Sequence, residues 1–223
     1  MRSRPVVTID GPSGAGKTTV SKRLAEAAGF VRIDTGAMYR AVALAARRAG
    51  VSWDDAVPLG GVARELDLSF RTVAGAPRVF LSGEDVSDTI RTPEISMGAS
   101  AVSAHGPVRE SLVAKQREMA REGGVVLEGR DTGTVVFPDA EVKFFLDAAA
   151  AVRARRRQLE ISPSGAQSFE EVLRDVLRRD VRDSTREHSP LRVADGALYI
   201  DSTTMTVDEV VGEMLRRLPG VPR

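Results

Sequence analysis

A glycine-rich stretch near the start of the sequence has the composition of a phosphate-binding loop. Residues 11–18, GPSGAGKT, match the pattern G-x-x-x-x-G-K-[ST] at every fixed position. In such a loop the backbone N–H groups converge on phosphate oxygens, and the helix that follows contributes its positive end. We expect Lys17 to reach the β- and γ-phosphates of a nucleoside triphosphate, and the hydroxyl of Thr18 to bind Mg²⁺. The predicted triphosphate-binding residues are Gly11, Pro12, Ser13, Gly14, Ala15, Gly16, Lys17, Thr18 and Thr19.

The acceptor of the terminal phosphoryl group distinguishes a kinase from a switch or a motor. Guanine-nucleotide switches carry the strings [NT]-K-x-D and D-x-x-G, and neither string occurs in this sequence. A kinase needs a second anion site that faces the triphosphate. Arginine suits such a site because its planar guanidinium grips phosphate with two donors. Only four of the 32 basic residues are lysine, so the remaining 28 arginines are the main candidates.

Two short segments that follow apolar runs could bind an acceptor phosphate. Residues 34–40, DTGAMYR, place Thr35 and Arg40 at the start of a predicted helix, where an anion is favoured. A helix cap followed by a surface arginine would explain that segment equally well. Residues 128–134, EGRDTGT, place Arg130 beside Asp131 between glycines at a strand end, which favours a binding site over a core position.

Two predicted helices carry further arginines. Arg179, Asp183 and Arg186 stand four and three residues apart, so they share a face if the helix continues through them. Their spacing alone favours a solvated helix with ion pairs. Residues 153–157, RARRR, precede a loop-like run at 162–168 and could form a lid that covers the phosphates and excludes water. A basic surface helix is the alternative for that segment.

Apolar runs that alternate with helical stretches predict an α/β fold with a parallel sheet, which would gather these segments at one edge. Residues 60–92 interrupt the alternation with an antiparallel hairpin around a turn at 75–77, followed by a third short strand at 84–90. The predicted strands of the parallel sheet are residues 6–9, 30–33, 125–127, 142–146 and 198–200. The predicted helices are residues 16–28, 37–48, 94–104, 107–121, 149–159, 169–182 and 207–218.

The overall composition argues against several classes of protein. The formal net charge is only +1 over 223 residues, so no global field indicates a nucleic-acid or membrane partner. The absence of cysteine excludes disulfides, thiolate zinc sites and a cysteine nucleophile. No apolar run approaches the roughly 20 residues that span a bilayer, and the first residues show no signal-peptide core. We therefore expect a cytoplasmic protein.

Four motifs together resemble the bacterial cytidylate (CMP) kinase family, within the nucleoside monophosphate kinases. They are IDGPSGAGKT, DTGAMYR, GRDTGTVVFPDA and LYIDSTT, in this order along nearly the whole chain. The resemblance implies a P-loop kinase fold with a five-stranded parallel sheet flanked by helices, and an inserted acceptor-binding subdomain with a small antiparallel sheet. It implies a single domain over residues 1–223, with the insert at about 60–92 and a helical lid at about 150–168.

The resemblance also implies roles for residues that match the family motifs. The acceptor phosphate would be held by Thr35, Arg40, Arg130 and Arg186, and cytosine would be read by Ser100, Arg109 and Asp131. The ribose hydroxyls would meet Arg179 and Asp183, and lid arginines are expected among Arg153, Arg155, Arg156 and Arg157. Lys17, Arg130 and Arg186 would carry catalysis. Glu128 stands where related sequences often have aspartate.

The resemblance implies transfer of the γ-phosphoryl group of MgATP to CMP or dCMP. We expect a monomer. An aspartate at position 131 would accept a hydrogen bond from the cytosine amine but oppose the carbonyl of uracil, so CMP and dCMP are expected to be preferred over UMP. A kinase for another small acceptor remains an alternative. So does a nucleotide-dependent binding protein without an acceptor, which would bind the triphosphate but show no monophosphate-dependent turnover.

Overall fold

The computed structural model describes residues 2, 4–73, 76–161 and 167–219 of the chain. Its helices and strands follow one another in the order that the sequence predicts, with differences given below. The strands are β1 (Val6–Asp10), β2 (Val31–Asp34), β3 (Leu68–Val73), β4 (Ala76–Leu81), β5 (Glu84–Asp85), β6 (Val125–Gly129), β7 (Val142–Asp147) and β8 (Leu198–Asp201). The α-helices are α1 (Lys17–Ala28), α2 (Thr35–Arg48), α3 (Ala56–Glu65), α4 (Pro93–Val102), α5 (Gly106–Met119), α6 (Ala150–Ile161), α7 (Phe169–Thr185) and α8 (Val207–Leu215).

A five-stranded sheet carries the segments that could do chemistry. Its strand order is β2-β6-β1-β7-β8, and β1 pairs in parallel with both β6 and β7. Every residue of β1 and β6 is buried, as expected for the central strands of a parallel sheet covered on both faces. Asp10 lies opposite Gly129 in this register, so the chain leaves both strands at the same edge of the sheet. The predicted α/β fold is confirmed.

Helices α1 and α8 pack on this sheet and build a hydrophobic core with it. Leu24 of α1 and Met214 of α8 pack with Ile9, Phe144 and Leu146 from the strands, all of them essentially inaccessible to solvent. Burying each such side chain contributes about 1.5–3 kcal/mol. The strand ends that support the phosphate loop are thus held by a closely packed core.

The chain divides into two compact units. The first unit consists of the residues up to Arg32 and those from Ala120 onward, and the second unit consists of Ile33–Met119. The second unit contains α2 to α5 and an antiparallel sheet in the order β3-β4-β5, with Phe70 opposite Val79. The predicted hairpin and third strand are confirmed. Of the turn predicted at 75–77, residue 75 lies outside the described residues, and Ala76 and Pro77 belong to β4.

Three local features differ from the sequence-based expectation. Helix α3 was not predicted, because Pro58, Gly60 and Gly61 disfavour a helix interior. In the structure Gly60 allows close packing, since a Cβ on it would lie 2.6 Å from Cβ of Pro107. Residues Thr132–Val136 form an unpredicted turn of π-helix. Helix α7 ends at Thr185, so Arg186 does not extend the helical face of Arg179 and Asp183.

Candidate active site

The glycine-rich loop connects β1 to α1 and lies very close to neighbouring backbone. Gly11 has a positive φ of 151°, and a Cβ on it would lie 1.9 Å from the carbonyl oxygen of Leu146 in β7. Gly14 also has a positive φ, and a Cβ on it would lie 2.7 Å from the carbonyl oxygen of Arg153 in α6. Side chains at these two positions would force the loop out of place. The glycines therefore give this loop its conformation, as the motif predicts.

Lys17, the first residue of α1, points its ammonium group back along the loop. Its Nζ donates to the carbonyl oxygens of Gly11 at 2.7 Å and Pro12 at 2.6 Å. Burial and the nearby guanidinium of Arg130 lower the pKa of Lys17 well below its usual value. An anionic phosphate beside this ammonium would oppose both effects, so the surroundings of Lys17 favour a negatively charged ligand.

Thr18 is exposed, and its hydroxyl lies beside a buried carboxylate. Thr18 Oγ1 donates to Glu128 Oε2 at 3.1 Å, and Glu128 is the penultimate residue of strand β6, with 3% of its surface accessible. Hydroxyl and carboxylate oxygens are the ligands that Mg²⁺ prefers. The donor set therefore fits a magnesium ion that binds together with nucleotide phosphates, through Thr18.

Asp10, which sequence analysis did not single out, holds the segment after β6. Its carboxylate accepts from the backbone N–H of Thr132 at 2.9 Å, the Thr132 hydroxyl at 2.7 Å and the backbone N–H of Gly133 at 2.7 Å. Burial raises the pKa of Asp10 above its usual value although these three donors act in the opposite direction. Asp10 directly precedes the phosphate loop, so one side chain joins that loop to the segment that carries Arg130 and Asp131. Its position at a buried strand end next to Gly11 was the one available sequence signal.

An arginine–aspartate cluster brings together residues predicted from two separate stretches of sequence. Arg130 Nε donates to Asp183 Oδ2 at 2.7 Å, and Arg186 Nη2 lies 3.7 Å from Asp131 Oδ1. Burial alone would raise the pKa of Asp183, but the positive charges of Arg130 and Arg179 and the hydrogen bond from Arg130 outweigh it and lower that pKa. These residues are thus neighbours in one unit, although up to 56 positions separate them in the sequence.

Arg186 lies in this cluster although it is not part of helix α7. It follows α7 with an extended backbone, φ −61° and ψ 143°, and its Nε donates to the carbonyl oxygen of Ser189 at 2.7 Å. Arg179, Asp183 and Arg186 were expected to share a helical face only if the helix continued through them, and α7 ends one residue before Arg186. The break in the helix, and not its periodicity, turns Arg186 toward Asp131.

The other predicted acceptor-binding residues belong to the unit formed by residues 33–119. Thr35 begins α2 and is buried, and Arg40 Nη2 donates to Asp34 Oδ2 at 3.1 Å. Asp34 also caps α2, because its Oδ1 accepts from the backbone N–H of Ala37 at 2.9 Å. The helix cap that was considered as an alternative therefore exists, and it holds Arg40 beside Thr35 without excluding a ligand role.

Within the same unit, Ser100 and Arg109 are both buried polar residues on neighbouring helices. The guanidinium carbon of Arg109 lies 5.5 Å from the centre of the Tyr39 ring, and its Nη1 donates to the carbonyl oxygen of Ser103 at 3.2 Å. Tyr39 was missed in the sequence, where nothing distinguishes it from a packing aromatic. It orients Arg109 from the DTGAMYR segment.

The four arginines of the predicted lid have different environments. Arg153 is buried and makes two parallel hydrogen bonds to Asp180, at 3.0 and 2.7 Å, and one to the carbonyl oxygen of Ser13 at 3.1 Å. Arg156 donates to the carbonyl oxygen of Ala15 and to Ser202. Arg155 lies over the ring of Phe169, and Arg157 pairs with Glu160. Residues 162–166 of the predicted lid lie outside the described residues.

Comparisons with known proteins find similarity to cytidylate kinases over nearly the whole chain. The family model described as cytidylate kinase matches residues 7–219. The cytidylate kinase of Geobacter sulfurreducens is 55% identical over 210 residues, covering 94% of this chain and 90% of that protein. The cytidylate kinase of Syntrophotalea carbinolica is 50% identical over 217 residues, covering 97% and 92%. Among solved structures, an uncharacterised protein from Eubacterium ventriosum has a TM-score of 0.51 at 11% identity, covering 97% of this chain and 99% of that one, which supports the fold alone.

Proposed function

The chain belongs to the cytidylate kinase family, and on that premise we propose that it transfers the γ-phosphoryl group of MgATP to CMP or dCMP, giving ADP and CDP or dCDP. One observation carries the assignment of the site. Asp10 and Gly129 lie opposite each other in the central sheet, so the phosphate loop and the arginine–aspartate cluster begin at adjacent strand ends. In open α/β sheets, ligands bind at such strand ends.

In the proposed reaction an α-phosphate oxygen of CMP attacks the γ-phosphorus of ATP. The new O–P bond forms while the bond between the γ-phosphorus and the β–γ bridging oxygen breaks, and ADP leaves with that electron pair. The acceptor oxygen is already anionic near neutral pH, so no general base is needed. Catalysis rests on alignment of the two phosphates and on Lys17, Arg130 and Arg186, which stabilise the charge that spreads over the phosphoryl oxygens.

Magnesium would be held by Thr18 together with the phosphates of ATP, and it would neutralise phosphate charge during transfer. The loop residues 11–19 bind the triphosphate through backbone N–H groups. Arg156 donates to the loop carbonyl of Ala15 and its Nη1 lies 3.9 Å from the position of a Cβ on Gly16, so we assign it as the lid arginine near ATP. Arg153 is committed to Asp180 and Ser13, which assigns it to loop support.

The proposed acceptor contacts start with the phosphate of CMP. It would be bound by Arg130, Arg186, Thr35 and Arg40, as in the family pattern. The other contacts follow the family pattern: cytosine is read by Ser100, Arg109 and Asp131, and the ribose by Arg179 and Asp183. A buried aspartate that accepts from the cytosine amine gives the chemical basis for preferring CMP over UMP.

The first experiment measures ADP formed from MgATP by the purified protein, with CMP, dCMP, UMP, AMP, GMP or no acceptor in parallel. Strong turnover with CMP and dCMP, weak turnover with UMP and background turnover alone are expected. Preference for a different monophosphate would favour a kinase for another acceptor. Tight ATP binding without acceptor-dependent turnover would favour a binding protein and overturn the proposal.

We also propose that the protein acts as a monomer in the cytoplasm, with no nucleic-acid or membrane partner. Each of the two compact units has internal contacts of its own. No helix among the described residues is long and apolar enough to cross a membrane. Light scattering during size-exclusion chromatography should give the chain mass of 23.9 kDa. A mass of twice that value would contradict the monomer.

A further inference from the structure

Arg32, in β2, stands at the centre of a hydrogen-bond network that no motif predicts. Its Nε donates both to Ser21 Oγ at 2.9 Å and to Glu128 Oε1 at 3.0 Å, and its Nη2 donates to the same Glu128 oxygen. The arginine side chain is 12% exposed and that of Glu128 is 4% exposed. A buried carboxylate needs such a partner, because an isolated charge in the interior is costly.

Both arms of this network end on Thr18. Glu128 Oε2 accepts from the Thr18 hydroxyl at 3.1 Å, while Ser21 Oγ donates to the Thr18 carbonyl oxygen at 3.2 Å. One arm thus holds the side chain of Thr18, and the other holds its backbone. Arg32 is the common anchor, since the same Nε contacts Glu128 and Ser21.

The direction of the hydrogen bonds decides what this anchor can do. A hydroxyl has one proton to donate and two lone pairs with which it can bind a cation. When Glu128 accepts that proton, the lone pairs of Thr18 Oγ1 turn away from the carboxylate. Glu128 Oε1 faces Arg32 and Oε2 faces Thr18, so the carboxylate orients the hydroxyl instead of offering both oxygens to the metal.

We propose that Arg32 is a positioning residue for magnesium binding, acting on the hydroxyl of Thr18 through Glu128 and Ser21. This inference rests on the proposed function only in taking Thr18 as the residue that meets Mg²⁺ on ATP. Arg32 touches neither substrate nor metal. It sets the rotamer and lone-pair direction of Thr18 before the ion arrives, as partners of metal ligands generally do.

The test compares Arg32→Lys with Arg23→Lys. Both replace an arginine of the same unit that pairs with a carboxylate, but Arg23 pairs with Asp208, away from Thr18. Binding of a non-hydrolysable ATP analogue is measured by calorimetry in EDTA and over a Mg²⁺ titration, and the ratio of the two affinities gives the metal's contribution. Lysine keeps the charge but cannot donate from one nitrogen to Ser21 and from another to Glu128 in the arginine geometry.

We expect Arg32→Lys to reduce the metal's contribution roughly tenfold, the lower end for loss of a partner behind a metal ligand, with metal-free binding unchanged. Ser21→Ala, which keeps the Arg32–Glu128 pair, should give a smaller loss and serves if Arg32→Lys does not fold. A metal contribution in Arg32→Lys and Ser21→Ala equal to that in Arg23→Lys would overturn the inference. So would equal losses with and without metal, which indicate general damage to the loop.

The wild-type protein separates this inference from the function on which it rests. Magnesium-dependent analogue binding and CMP-dependent turnover in the wild type, combined with unaltered variants, would refute only the role of Arg32. Analogue binding in the wild type that ignores Mg²⁺ would refute the assignment of Thr18 and the inference together.

Discussion

At the scale of single residues, burial decides the direction of the pKa shift of Lys17 but not that of Asp183. Burial and Arg130 lower the pKa of Lys17, although the carboxylates of Glu128 and Asp183 act in the opposite direction. At Asp183, burial is outweighed by Arg130 and Arg179, so the carboxylate is the favoured form and its pKa is lowered. A negatively charged ligand beside Lys17 would favour its ammonium form.

Asp131→Asn tests base recognition. The amide would present both a donor and an acceptor, so the ratio of kcat/KM for CMP to that for UMP should fall by roughly tenfold to a hundredfold. Steady-state kinetics with both acceptors measure the ratio. Asp195→Asn, at an exposed aspartate of the same unit, is the control and should leave it unchanged. An unaltered ratio in Asp131→Asn would remove the basis for assigning cytosine to Asp131.

The lowered pKa of Asp183 predicts a pH dependence of stability. A carboxyl whose folded pKa lies below its ordinary value of 3.8 stabilises the protein above that value and loses this contribution as pH falls through the folded pKa. The difference in unfolding free energy between wild type and Asp183→Asn should therefore be constant near neutral pH and shrink as pH falls below about 4. Urea unfolding from pH 7 to pH 3 measures it. A difference that grows on acidification would show that the charge of Asp183 is not stabilised by its arginines.

Arg153 and Arg157 should behave differently although both belong to the predicted lid. Lysine in place of Arg153 loses the two-pronged contact with Asp180 and the bond to Ser13, so Arg153→Lys should cost about 1–3 kcal/mol of unfolding free energy and raise KM for ATP. Arg157→Lys changes an exposed ion pair and should stay within about 0.5 kcal/mol. Urea unfolding measures the free energy of unfolding of both variants, and steady-state kinetics measure their KM for ATP. Equal effects would mean that Arg153 does not support the loop.

At the scale of elements, the site depends on how a turn of π-helix is tied to the end of β1. Three donors from Thr132 and Gly133 converge on Asp10, and a Cβ on Gly133 would lie 2.8 Å from Thr8 Oγ1. The turn is therefore pressed against β1 and fixed by one carboxylate. It follows Arg130 and Asp131 directly, so its position determines theirs.

Asp10→Asn should release this turn, and Asp201→Asn provides a matched control. Each aspartate ends a parallel strand and accepts from both the N–H and the hydroxyl of a threonine, but Asp10 is buried whereas Asp201 is exposed. An asparagine NH₂ cannot accept from Gly133, so Asp10→Asn should lower the unfolding free energy by about 1–3 kcal/mol. Asp201→Asn should lower it by about 0.5 kcal/mol or less, because water can replace the lost partner. Equal losses in denaturant unfolding would contradict the anchoring role of Asp10.

At the scale of the whole molecule, ligand binding should stabilise the elements that carry the proposed contacts. We expect CMP to slow amide hydrogen exchange in α5, which carries Arg109, and in α7, which carries Asp183. ATP analogues alone should protect the loop after β1 and the start of α1. Hydrogen-exchange mass spectrometry with each ligand separately measures these patterns. Protection by CMP in only one of these two helices would show that the acceptor residue on the other helix is wrongly assigned.

Local patterns in the sequence were sufficient for a large part of this structure. The phosphate loop, the five parallel strands and the hairpin all depend on turn residues and apolar periodicity that lie within about ten residues of one another. Helix α3 could not be predicted this way, because its glycines are explained by Pro107, which lies far along the chain. The same holds for the contact of Arg186, which follows α7 with an extended backbone and lies 3.7 Å from Asp131, far along the chain.

By itself, the sequence determined the chemistry available to this protein and the order in which its elements occur. Only the tertiary structure decided which charges meet: Arg130 with Asp183, Arg153 with Asp180 and Ser13, and Arg32 with Glu128. The strand order β2-β6-β1-β7-β8 differs from the order along the chain, and it places β2 with Arg32 beside β6 with Glu128. The packing of α7 against α6 places Asp180 beside Arg153. Both arrangements depend on packing between elements, which no local pattern encodes.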